Sequence, residues 1–251
     1  MKRQQSLEQL WNSAVAVGSA QSFEPTALSA LPQAAQRYLK HAIASGTPLA
    51  TSVRLQMHGE IKLQRWYPFS AEQVIHWSRG MIWQATVKMW NMTLRGSDCF
   101  LNNQGEMDWK FFGIFPVISA RGPDITRSTA GRVNIESLWL PSVLSLAGVT
   151  WTSSEHNQLH ARFSAHTEIA ELDYVIGESG ELKAVHMLRW GNPDKGNFRY
   201  VPFGALIEEE QTFGGYTIPT RVRVGWNFGT NHFDPEGEFF RATIDQAVYR
   251  G

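Results

Sequence analysis

Five residues that can do ionic chemistry crowd into one stretch: Arg121, Asp124, Arg127, Arg132 and Glu136. A guanidinium grips a carboxylate or phosphate through two parallel hydrogen bonds. A helix N-terminus alongside adds to that pull. The stretch therefore reads as an anionic head-group site built on Arg121, Arg127 and Arg132, or as an acid/base pair of Asp124 and Glu136. A structural network tying a helix to a sheet rim remains the competing reading, because Arg132 and Glu136 stand four apart, the spacing of a helical ion pair.

The second set is aromatic: Trp109, Trp139, Trp190, Trp226, Phe115 and Phe228, with Tyr200 beside them. Such rings wall an apolar pocket, and arginines can stack on their faces. Taken singly, each ring also suits an ordinary core. His156 and His160 are four apart, but in a loop-to-strand segment that spacing is about 13 Å, too far for one zinc ion, so no metal is expected. Alternation puts Glu209 opposite Glu208 and Glu210. One of the three could point inward with a raised pKa, and a solvated edge strand is the alternative. The late glycines, Gly204 to Gly229, follow strands rather than open helices, so they serve bends and close backbone approach. No nucleophile elbow, Cys-x-x-Cys or His-Glu-x-x-His occurs, and no cofactor is expected.

These candidates sit in a chain of 251 residues with 23 basic and 23 acidic side chains, 43% hydrophobic, with ten tryptophans. That apolar content excludes a disordered chain. A chain this long buries roughly 70–75% of its unfolded surface. Zero net charge gives no global attraction to nucleic acid or to anionic membranes. The single cysteine, Cys99, excludes an intramolecular disulfide and reads as a buried thiol. Met1-Lys2-Arg3 ahead of Ala14–Ala20 outlines a weak export signal, interrupted by Glu8, Gln9 and Asn12. The expectation is a cytoplasmic protein without a transmembrane segment, with export as the alternative.

Periodicity sets the secondary structure around these residues. Residues 1–24 read as a flexible or helical arm, and 25–251 as one domain. Leu31, Ala35, Tyr38, Leu39, Ala42 and Ile43 fall on one helical face, stopped by Gly46 and Pro48. From Val53 the period is two, and it recurs through Trp83–Met89, Met107–Phe111, Leu159–Phe163, Leu172–Ile176, Ile218–Phe228 and Phe240–Ile244. A phase slip at Met89–Trp90 calls for a bulge or tight bend, and Asn102–Gly105 for a hairpin loop. Thr126–Leu146 reads as a helix interrupted or restarted at Pro141. Ten to twelve strands with short turns and no helices between them make an antiparallel sheet, and a sheet this large must curl or close. The fold expected is mainly β (α+β): a large curled antiparallel sheet or open β-barrel, with an N-terminal helix and a mid-chain helical lid.

Several segments resemble a bacterial family of unknown function. They are Leu31-Pro32, Arg37-Tyr38-Leu39, Ala120–Asp124, Glu136–Ser142, Arg189-Trp190-Gly191, Arg199–Gly204, Thr212–Pro219 and Gly237–Ala242. More distantly, the order helix, strands, helix, strands looks like the lipoprotein-carrier (LolA/LolB-like) half-barrels, which hold acyl chains under a helical lid. The reading that combines residues and resemblance is a binding protein for a hydrophobic or lipid-like small molecule. The alternative is a cofactor-free isomerase, cyclase or hydrolase acting on an apolar substrate, with Asp124 and Glu136 as acid and base.

Overall fold

The computed structural model describes residues 6–14, 21–166 and 168–251. Six strands come first: β1 (Ser52–Lys62), β2 (Trp66–His76), β3 (Gly80–Met89), β4 (Met92–Leu101), β5 (Gln104–Phe111) and β6 (Phe115–Arg121). Seven follow: β7 (Thr150–Glu155), β8 (Gln158–Ala165), β9 (Glu168–Ile176), β10 (Leu182–Gly191), β11 (Arg199–Phe213), β12 (Tyr216–Trp226) and β13 (Glu238–Arg250). Three helices accompany them: α1 (Leu7–Asn12), α2 (Gln33–Ala42) and α3 (Pro123–Ile135). All thirteen strands form one antiparallel sheet in the order β6-β5-β4-β3-β2-β1-β13-β12-β11-β10-β9-β8-β7.

This order makes β6 and β7 the two edges, and α3 with its two short 3-10 turns (Glu136–Trp139, Pro141–Ser145) carries the chain from one edge to the other. Helix α3 packs on β4 and β5 on one side and on β9 and β10 on the other. Laid flat, β5 and β10 would be about 38 Å apart at normal strand spacing. A helix is only about 10–12 Å across. The sheet therefore wraps around α3, and the enclosed face holds the main core, with Trp83, Trp109, Trp139, Leu140 and Val133 all buried.

The curled antiparallel sheet with an N-terminal helix and a mid-chain helix is the architecture expected from periodicity, with thirteen strands rather than ten to twelve. The phase slip at Met89–Trp90 is a two-residue hairpin: Met89 pairs with Met92, and Trp90 takes a left-handed φ of 51°. Asn102 and Asn103, at φ 50° and 60°, make the next turn, between β4 and β5, as asparagine tolerates that region. The mid-chain helix starts at Pro123, where proline fits the first turn. It ends at Ile135, well before Pro141, because the chain tightens into the 3-10 turn at Glu136.

On the outer face, α1 is capped by reciprocal Ser6–Gln9 bonds. It lays Leu7, Leu10 and Trp11 over Val74, Ile82 and Cys99 in a second, small core. Burial drives the Cys99 thiol up to about 12, so it packs as an inert side chain. Residues 15–20, where the export-signal reading falls, lie outside the described residues, as does Met1-Lys2-Arg3. Among the described residues no helix is long and apolar enough to cross a membrane.

Candidate functional site

Between α3 and the sheet lies a cavity of about 260 Å³. Its walls are apolar: Ile61, Trp83, Met107, Trp139, Trp226 and Phe240 are among them. Four charged residues enter it, Asp98, Arg132, Glu136 and Arg189. A larger depression of about 700 Å³ on the sheet includes Gln56, His58, Glu72 and Gln84 and is open and more polar than apolar. The enclosed apolar space with few convergent polar groups is the better ligand candidate.

Three of the four charges satisfy one another. Arg132 projects from α3 between two carboxylates: Nη1 donates to Asp98 Oδ2 at 2.7 Å and Nε donates to Glu136 Oε1 at 2.7 Å. Trp109 Nε1 donates to the other Asp98 oxygen at 2.9 Å, and Gln73 Nε2 to the other Glu136 oxygen at 2.6 Å. Each carboxylate oxygen thus accepts one bond. Burial works against the Arg132 charge, but Glu136 and Asp98 outweigh it and raise its pKa. The guanidinium also lies 4.9 Å from the Trp83 ring centre.

Arg189 is different. It is 8% exposed, yet no carboxylate lies within ion-pair distance among the described residues. Its Nε donates to the Ser128 carbonyl at 3.1 Å and one Nη to the Ser128 hydroxyl at 3.4 Å. The guanidinium stacks 4.5 Å from Phe203 and 5.1 Å from Trp226. Burial, with repulsion from Arg132, lowers its pKa to about 9, despite the nearby Glu136 and Asp98. The other Nη has no hydrogen-bond partner among the described residues. A donor of this kind is what an apolar cavity needs to hold an acceptor or anionic end of a ligand.

Two glycines make the arrangement possible. A Cβ at Gly191 would meet the Trp226 ring at 2.2 Å, so the glycine lets that indole reach across to β10. At Gly131, on α3, a Cβ would sit 3.2 Å from Arg189 Cγ. The helix passes close over the arginine stem there.

The candidates from sequence divide into four groups. Arg132, Glu136, Trp139 and Trp226 line the cavity. Trp109 is buried beside it, holding Asp98 and packing on Trp83 at 5.6 Å. Asp124, Arg127, Trp190 and Tyr200 make an outer latch: Trp190 Nε1 donates to Asp124 Oδ1 at 2.9 Å, and Arg127 donates to the Tyr200 hydroxyl at 2.7 Å while stacking on both rings. Arg121 is exposed and pairs with Glu106 at 3.2 Å. Asp124 and Glu136 stand twelve residues apart, about 18 Å along a helix, and do not share a site. Of the glutamate run, Glu210 turns inward and bonds His41 Nε2 at 2.8 Å, while Glu209 pairs with Arg221 on the surface. His160 bonds Asp173 at 2.9 Å, and His156 sits in the β7–β8 turn.

Sequence reasoning did not single out Arg189 as a cavity residue. The signal was there: Val185, Met187 and Arg189 share one face of β10, and the first two are buried.

Residues 29–249 match a family of unknown function, DUF6920. No curated protein matches the sequence. Among solved structures, the fold is similar to an outer-membrane lipoprotein-sorting protein domain from Vibrio parahaemolyticus, at 6% identity and a TM-score of 0.42, covering 79% of this chain and 85% of that one. It is also similar to a LolA superfamily protein from Nitrosomonas europaea, at 8% identity and a TM-score of 0.44, covering 87% of this chain and 92% of that one.

Proposed function

The chain belongs to the DUF6920 family, and we propose, from its cavity, that it binds a single-chain apolar molecule carrying an acidic or acceptor end. The observation that carries this reading is Arg189, a buried guanidinium without a carboxylate partner, facing an apolar space. Burying a charge unpaired is costly, and an acidic ligand end would offset that cost. The volume of about 260 Å³ falls just below the range that holds drug-sized ligands and suits one medium-length acyl chain. Arg132 orders Asp98 and Glu136 on one wall, and Trp139 and Trp226 supply apolar surface. Both Glu136 oxygens are engaged, which favours binding over proton transfer.

Native mass spectrometry of the protein as isolated, with organic extraction of what it carries, tests this. A co-purified amphiphile, or saturable uptake of added decanoate, is the expected result. A protein that carries nothing and takes up no decanoate, decanol or other medium-chain amphiphile at micromolar concentration would overturn it.

A further inference from the structure

The hairpins β1–β2, β3–β4 and β5–β6 all turn at one end of the sheet, and their tips are neighbours. The Arg65 guanidinium lies 4.7 Å from the Trp90 ring, joining the first tip to the second. Phe112 N–H donates to Thr93 O at 2.8 Å, joining the third to β4. Each tip opens on a lysine, Lys62, Lys88 or Lys110, and then presents large apolar side chains to solvent. Trp90 is 79% exposed, Ile114 73%, Phe115 64% and Phe112 51%. Eight of the thirteen exposed large hydrophobic residues among the described residues fall on these tips and on β6, so the patch is concentrated rather than scattered.

Charge says what covers it. Lys62, Arg65, Lys88, Arg95 and Lys110 lie in or beside the tips, while residues 61–71, 85–97 and 109–123 contain no Asp or Glu. The acids beside the tips are paired: Glu60 with Arg241, Asp108 with Lys110, Asp234 with Arg223, and Glu236 with His232. Exposed tryptophan and aliphatic side chains framed by lysine and arginine are the composition of a surface that enters the headgroup layer of an anionic bilayer. A second copy of the chain fits less well. Strand β6 carries Pro116 and a register shift opposite Trp109–Lys110, both of which break the edge ladder. Val117 and Ile118, at that shift, are both exposed, as are Phe115 on the same strand and Ile114 just before it, which suits immersion rather than one-sided packing.

We propose that these three tips dock the protein on an anionic lipid bilayer. The cavity reaches toward the same end, since Ile61, its lining residue on β1, immediately precedes the first tip. Docking would set that end of the cavity toward the membrane, and it stands whatever the cavity holds.

The test is flotation of the full chain with phosphatidylcholine vesicles, with and without phosphatidylglycerol. The expected result is binding that requires the anionic lipid, weakens with salt, and shifts tryptophan emission to the blue. The variant Trp90→Ser/Phe112→Ser/Ile114→Ser should bind about ten-fold more weakly or worse. Lys88→Glu should lose about five-fold or more. Both variants should keep the melting temperature and the bound amphiphile of the native protein, since the altered side chains are exposed, which separates this result from failure of the cavity reading. Equal flotation with neutral and anionic vesicles, none with either, or native-level binding by the triple variant would overturn the proposal. So would a dimer in light scattering that the triple variant abolishes.

Discussion

Replacing Arg189 by methionine separates a ligand-holding arginine from a structural one. The chain keeps its length and flexibility but loses the charge. The guanidinium is held at about 9, roughly three and a half pH units below its ordinary value. At about 1.4 kcal/mol per unit, its charged form costs the empty protein about 5 kcal/mol. Both folded and unfolded chains are protonated below pH 9, so this cost is fully present at neutral pH and fades only as pH rises above 9. The substitution also forfeits two bonds to Ser128 and the stacking on Phe203 and Trp226. Swapping buried charges for apolar residues typically leaves a net gain of up to about 4 kcal/mol. Arg189→Met should therefore raise the stability of the empty protein by about 1–4 kcal/mol in urea unfolding followed by tryptophan fluorescence. In calorimetric titration it should weaken decanoate by about 10- to 150-fold, the loss of a charge-assisted hydrogen bond of about 1.5–3 kcal/mol. Decanol should change far less. A variant that is less stable than the native protein and binds decanoate unchanged would show instead that Arg189 holds α3 to β10.

Four further outcomes follow from the packing. Gly191→Ala should drive the Trp226 ring off β10, costing about 1–3 kcal/mol in urea unfolding and lowering decanoate affinity. Ala205→Leu should fill part of the cavity, block binding and leave the melting temperature no lower, since it packs into empty space. Burial opposes the Glu238 charge, but Arg223 and Arg241 hold its carboxyl at about 2; its contribution of about 3 kcal/mol is complete above pH 4.5 and lost as pH falls toward 2. Glu238→Gln should flatten that part of the stability–pH curve, measured by urea titration at stepped pH. Cys99 should resist thiol reagents at pH 8 in the folded protein and react in urea, which a colorimetric thiol assay reads directly.

How far the fold was legible depends on which faces are wet. Where one face meets the core and the other meets water, as in Val53–Met57 of β1 or Leu159–Phe163 of β8, alternation marks the strand and its inward side. Strand β6 is exposed on both faces and apolar on both, so its residues carry no alternation to read. The ionic cluster was legible as a set, but its division was not. Arg121 and Arg132 differ only in where α3 begins and which way it faces. Arg189 reads as a solvent-side residue until the inward phase of β10 is known, and Trp190, the more conspicuous neighbour, falls on the other face, where it latches Asp124. The helix that passes over the cavity depends on the sheet curling far enough for β5 and β10 to meet one helix, a property of the whole strand order.

Whether the space under α3 accepts a ligand is read by the indole N–H resonances of the ten tryptophans during titration with decanoate. Trp83 and Trp226 line the cavity, and Trp11 sits on the far side of the sheet beneath α1. The Trp83 and Trp226 signals should move saturably, Trp11 should stay in place, and Arg189→Met should suppress the movement. Saturable movement confined to the exposed Trp90, or none at all, would mean that the space holds no ligand.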